Sequence, residues 1–185
     1  MEVLDTKTIY TLLHILGAVL GAGGAFMSDA MFFSCIKDKK ITTTELRFLR
    51  LGSTMVWIGL IVLIVSGVLL FSLDPIRYLE SSKFLVKMTV VLVILVNGLF
   101  FHYMHIPRIE RHRGVDFSTS HEFKKHSSTL VASGAISLIS WLVALILGSL
   151  RSIPYSYAEG MGIYLGVLMI GIAIALTSKK RILGH

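Results

Sequence analysis

Five apolar runs lie near residues 8–34, 46–73, 84–106, 127–150 and 159–178. Each reaches the roughly 20 residues that a helix needs to cross a bilayer. Inside hydrocarbon a backbone has no water to bond to, and a helix satisfies its polar groups within one segment. The expected fold is therefore all-α, an integral membrane bundle of five transmembrane helices. At 185 residues it is a single domain spanning 1–185. Composition agrees: 54% of the residues are hydrophobic, only 16% are charged, and mean hydropathy is +0.76.

The net charge of +7 is carried by the short segments between the runs. That distribution sets topology and does not suggest a nucleic-acid partner. Segment 36–50 holds Lys37, Lys39, Lys40, Arg47 and Arg50; segment 107–126 holds Arg108, Arg111, Arg113, Lys124 and Lys125; the tail holds Lys179, Lys180 and Arg181. By contrast, 74–83 balances Arg77 and Lys83 against Asp74 and Glu80, and 151–158 has only Arg151. The positive-inside rule places the N-terminus outside and the C-terminus in the cytoplasm. Glu2, Asp5 and Lys7 precede a first run too long for a signal-peptide core, so no cleavable signal is expected. The single Cys35 excludes an internal disulfide and a tetrahedral thiolate zinc site.

Helix boundaries are partly written in capping patterns. Thr42 with Glu45, and Thr119 with Glu122, make capping boxes ahead of helices two and four, which therefore extend beyond the apolar run on the cytoplasmic side. Pro107 to Ser120 reads as a polar loop, while Asp74-Pro75 and Ile153-Pro154 mark turns on the outer side.

An ionisable side chain within such a run is costly unless something binds it. His14 heads the stretch Leu13 to Gly24, where Gly17, Gly21 and Gly24 follow it at helical steps of three, four and three. Two readings stand side by side. The glycines form a groove in which a flat group lies with His14 as its ligand, or they let another helix approach closely. Depth decides which polar residues can meet. His14 and Lys87 lie within a turn of each other in height, whereas His102 is about 22 Å deeper than Lys87. Lys87 also reads as a lysine snorkelling to headgroups, and to coordinate iron it has to be neutral and buried. His102, His105 and His126 gather near the cytoplasmic face as a second cluster. They suit interfacial residues with Tyr103 in the headgroup belt, a second haem, or copper with Met104, Met27, Met31 and Cys35 nearby. Lys87, Ile94, Gly98 and His105 share one helix face, since eighteen residues make five turns. Asn97 reads as an interhelical hydrogen bond, and Asp29 as the partner of Arg47 or Arg50.

The run His14-Ile15-Leu16-Gly17 through Phe26, with Phe84-Leu85-Val86-Lys87-Met88 about seventy residues later, resembles the HemJ-type protoporphyrinogen oxidases and, more loosely, CopD-like membrane proteins. The resemblance covers about the first three helices. It implies a multi-pass protein of the cell's inner (plasma) membrane. It also implies a b-type haem with His14 and Lys87 as axial ligands. The chain departs from the family at three places: Gly21 stands for a tryptophan, Ala30 for an arginine, and Gly98 for a histidine. It has a fifth helix as well. These departures leave the haem ligands standing and point to a relative that kept the haem and changed its use.

The leading expectation is a membrane b-type cytochrome that binds one haem b near the outer leaflet. It would serve electron transfer or the oxidation of a lipophilic or porphyrin-like substrate. In that reading Gly17, Gly21 and Gly24 accept the porphyrin face, Trp57 or Trp141 packs on its edge, and Arg77 and Lys83 pair with propionates. His105 and His126 would hold a second haem if there are two. The alternatives are the protoporphyrinogen IX oxidase itself, a copper-handling CopD-like protein using His102, Met104 and His105, and a scaffold bundle without cofactor. Partners are the lipid bilayer and a redox partner or small lipophilic substrate. Ser133 with Ser137, and Gly162 with Gly166, suit a homodimer as well as internal packing.

Overall fold

The computed structural model describes residues 5–37, 41–111 and 120–178. Among them there is no strand. Five helical segments, Thr6–Phe32, Thr43–Leu73, Ser82–Arg111, Lys125–Ser149 and Tyr157–Thr177, are long and apolar enough to cross a membrane. In chain order the helices are α1 (Thr6–Lys37), α2 (Thr43–Leu73), α3 (Pro75–Leu79), α4 (Ser82–Phe100), α5 (Ile106–Arg111), α6 (His121–Ser149) and α7 (Tyr157–Thr177). A π-helical turn, Phe101–His105, joins α4 to α5 without a break.

Local chemistry explains the ends. Thr42 caps α2 with the reciprocal Glu45 bond expected of a capping box, and Ser156 with Glu159 does the same for α7. Thr119 lies outside the described residues. Asp74-Pro75 does more than turn the chain: the Asp74 side chain accepts from Arg77 N–H and Pro75 takes the first turn, so the short helix α3 forms there. The loop expected from Pro107 is likewise helical as far as Arg111. Pro107 has no N–H for the Tyr103 carbonyl, and its ring would strike that carbonyl in an unbroken α-helix. The π-turn, in which Ile106 N–H bonds Phe101 O, widens the backbone just before it. It also shifts the register, so the eighteen-residue reckoning that put His105 on the Lys87 face does not hold beyond Phe100.

The principal core runs along α1, α2, α4, α6 and α7, with Val90, Trp141, Val86 and Tyr164 almost fully buried. A second cluster of Phe32, Ile41, Leu46, Leu49, Ile109 and Leu130 closes the end where α5 begins. Side-chain hydrogen bonds tie the helices together. Ser140 and Tyr164 hydroxyls lie 2.9 Å apart between α6 and α7. Asn97 exchanges two bonds with Ser133, donating to its carbonyl at 3.1 Å and accepting from its hydroxyl at 2.8 Å. The outward faces stay apolar: Val19, Val68, Met169 and Ile170 are each more than half exposed.

The glycine face of α1 has a definite occupant. A Cβ on Gly17 would lie 2.7 Å from Leu63 N, and one on Gly24 would lie 2.8 Å from Gly52 O. From the other side, a Cβ on Gly59 would meet Gly17 O at 2.7 Å and the Gly21 backbone closer still. Helices α1 and α2 therefore touch backbone to backbone, as small residues allow.

Candidate functional site

His14 on α1 and Lys87 on α4 line one cavity of about 350 Å³ near the end of the bundle capped by α3. Its walls are apolar, from Leu63, Val68 and Phe71 of α2, Tyr78 of α3, and Phe84 and Val91 of α4. Phe71 and Phe84 stack with ring centroids 5.7 Å apart, and Tyr78 packs against both. The meeting of His14 and Lys87 inferred from helix depth is thus present in the fold.

Two residues that sequence reasoning passed over fix the histidine. Ser66 Oγ lies 3.0 Å from His14 Nδ1. The Ser66 hydroxyl gives its proton to Val62 O at 2.6 Å, with Leu63 O at 3.2 Å. It therefore accepts from His14, Nδ1 carries the imidazole proton, and Nε2 keeps the lone pair. Beside it, a Cβ on Gly67 would lie 3.3 Å from His14 Cε1, so a glycine there gives the ring its room. The available signal was the Ser66-Gly67 pair, small and polar inside an otherwise large aliphatic stretch of helix two.

A second cavity, of about 320 Å³, adjoins the first across Leu70, Tyr78, Phe84 and Lys87. Its lining includes Lys7, Arg77, Lys83 and Arg151, so an apolar chamber meets a cationic mouth. Lys83 also donates to Leu150 O at 2.6 Å, which pins it to the carbonyl just past the end of α6. Arg77 and Lys83, expected to face an anionic group, both lie in this mouth.

Several expectations are corrected. Gly17, Gly21 and Gly24 do not form a groove for a flat ligand, because α2 fills that face and the indole of Trp141 covers Gly21. Trp141 is 1% exposed, its ring lying directly over the Gly21 backbone. Neither Trp57 nor Trp141 lines the His14 cavity. Asp29 does not pair with Arg47 or Arg50: Arg50 Nε donates to Glu110 at 2.8 Å, and Asp29 Oδ2 is buried without a hydrogen-bond partner.

The three inner histidines do not make one site. His105 is fully buried against Phe100 and Phe101, with neither ring nitrogen hydrogen-bonded. It shares with Arg108 and His126 a space of about 10 Å³, room for one water and far short of a tetrapyrrole. His105 and His126, expected to hold a second haem if there are two, thus meet in this structure only around that small space. His102 stands apart, exposed and edge-on to Trp57 with ring centroids 6.1 Å apart. Among the described residues no three His, Cys, Asp or Glu side chains group as metal ligands. The Cys35 side chain lies outside the described ones.

Comparison with family models, with curated proteins and with solved structures finds no match to this chain.

Proposed function

We propose that the chain is a multi-pass membrane protein that binds one b-type haem between His14 and Lys87 and serves electron transfer. The carrying observation is that an imidazole and an amine from separate helices line one apolar cavity that opens beside a cationic mouth. The residues fit the group in three respects. Nε2 of His14 has a lone pair, its ring is oriented by Ser66, and the lining is almost wholly aliphatic and aromatic. Haem held there would supply a one-electron couple whose potential its protein ligands and the burial would set.

The chain's own residues do the rest. Ser66 holds the imidazole in one tautomer and one orientation, as partners of ligating histidines do at metal sites. Lys87 acts as ligand in its free-amine form. Arg77, Lys83, Lys7 and Arg151 receive the carboxylates of the group's polar edge, while Phe71, Phe84 and Tyr78 exclude water from its body. The apolar outer faces of the five long helices meet lipid. The basic segments 36–50 and 107–126 keep the end that carries α5 in the cytoplasm, with the haem near the opposite leaflet. The membrane is the cell's plasma membrane, and the partner is a redox protein or a lipophilic electron carrier.

The test is an absorption spectrum of the detergent-purified protein, oxidised and dithionite-reduced, with pyridine-haem quantification. One haem per chain, lost in His14→Ala, is expected. A colourless protein after haem supplementation, or a ratio near two, contradicts the proposal.

A further inference from the structure

The segments at the α3 end of the molecule carry four basic residues, Lys7, Arg77, Lys83 and Arg151. They come from α1, α3, α4 and the turn after α6, yet all four line the one cavity of about 320 Å³ that forms the mouth. Among the described residues no carboxylate lines it, and none of the four cations forms an ion pair. Acidic residues of the same end are used elsewhere: Asp74 caps α3, and Glu159 completes the capping box of α7. Ser81, also in the lining, accepts from Phe84 N–H at 3.4 Å, so its hydroxyl proton stays available to an anion. Like charges gathered in one cleft repel each other, and the cleft focuses their field on anions.

We infer that the mouth binds the phosphate of an anionic phospholipid from the leaflet at that end. Sign is the first reason, since five basic side chains, Lys87 included, face the cavity without a counter-charge. Level is the second. Lys7 and Lys83 are the second residues of α1 and α4, and Arg151 stands two residues past the end of α6. The cations therefore sit where spanning helices begin and end, at the height of headgroup phosphates. The third reason is the flank: Ile9, Ile76 and Leu150, close to these cations in sequence, are large, apolar and exposed, and suit acyl chains that stay in the bilayer. The two carboxylates of the haem proposed for the adjoining chamber would neutralise two of the charges on Lys7, Arg77, Lys83 and Arg151, leaving two. Without haem all four stay open, so the inference does not rest on that reading.

The experiment places the full-length protein in phosphatidylcholine nanodiscs with a little phosphatidylglycerol that carries a photoactivatable headgroup. Cross-linked sites are mapped by peptide mass spectrometry. Cross-links at 75–83 and 150–153, saturated by unlabelled phosphatidylglycerol, are expected. They should exceed those of a matching phosphatidylcholine label by about tenfold, and fall by about as much in Lys7→Gln/Arg151→Gln. Both residues of that double variant are exposed. Arg77→Gln supplies a second variant, with a smaller loss expected. Equal labelling by the two lipids, or labelling unchanged in either folded variant, would overturn the inference and leave the cations to an acidic protein partner. Displacement by inorganic phosphate as effective as by phosphatidylglycerol would overturn it too, by assigning the site to free phosphate. Soret absorbance of the same samples reports haem separately, so a colourless protein that still cross-links at the mouth fails the haem proposal alone.

Discussion

His14 on α1 donates a hydrogen bond from Nδ1–H to Ser66 Oγ on α2, across 3.0 Å, and the Ser66 hydroxyl donates in turn to the carbonyl of Val62. These two hydrogen bonds, from ring to hydroxyl and from hydroxyl to backbone, leave Nε2 as the imidazole nitrogen with the free lone pair. Replacing Ser66 with alanine leaves the ring unanchored and either tautomer accessible. The expected result is a haem affinity about 10- to 100-fold lower, as for outer partners of metal-bound histidines generally. Haem transfer to an excess of a competing apoprotein measures it. Unchanged transfer in Ser66→Ala would separate the serine from ligation.

The contact between α1 and α2 predicts a contrast between two glycines. A methyl group on Gly59 would press on the backbone of Gly17 and Gly21, whereas one on Gly23 meets nothing within 4 Å. Gly59→Ala should destabilise the bundle by about 1–3 kcal/mol, the range for forcing extra atoms into a packed interface. Gly23→Ala should be neutral or stabilising by up to about 1 kcal/mol, since alanine is the better helix former. Thermal or denaturant unfolding in detergent, followed by circular dichroism, distinguishes them.

The Asn97–Ser133 exchange joins α4 to α6. A double-mutant cycle with Asn97→Ala and Ser133→Ala should give a coupling near 0.6 kcal/mol and at most about 1.7, as hydrogen bonds between membrane helices do. Because Asn97 also donates to the Ser133 carbonyl, Ser133→Ala removes only one of the two bonds. Asn97→Ala alone should therefore cost more.

Much of the architecture was legible because hydropathy and capping act locally. The five long helices, their ends to within a few residues, and the Thr42–Glu45 box follow from composition and short-range pattern. The height of His14 against Lys87 was legible for the same reason: helical rise is fixed, and two helices running the same way compare directly. Lateral neighbours were not legible. The stretch Gly17 to Gly24 allows a flat ligand or a helix equally, and only the position of α2 decides for the helix. Trp141 reaches Gly21 from a helix distant in sequence, and Arg50 finds Glu110 instead of Asp29. The π-turn before Pro107 changed the register of His105, which a uniform period of 3.6 cannot express.

The central proposal is that His14 and Lys87 would hold one haem, and the ferric electron paramagnetic resonance spectrum of the purified protein tests it most directly. Two strong nitrogen ligands predict a low-spin signal in the unaltered protein. Lys87→Ala should retain haem through His14 and turn high-spin, while His14→Ala should lose the haem. A low-spin signal unaffected by Lys87→Ala, or a protein that holds no haem at all, would contradict the account.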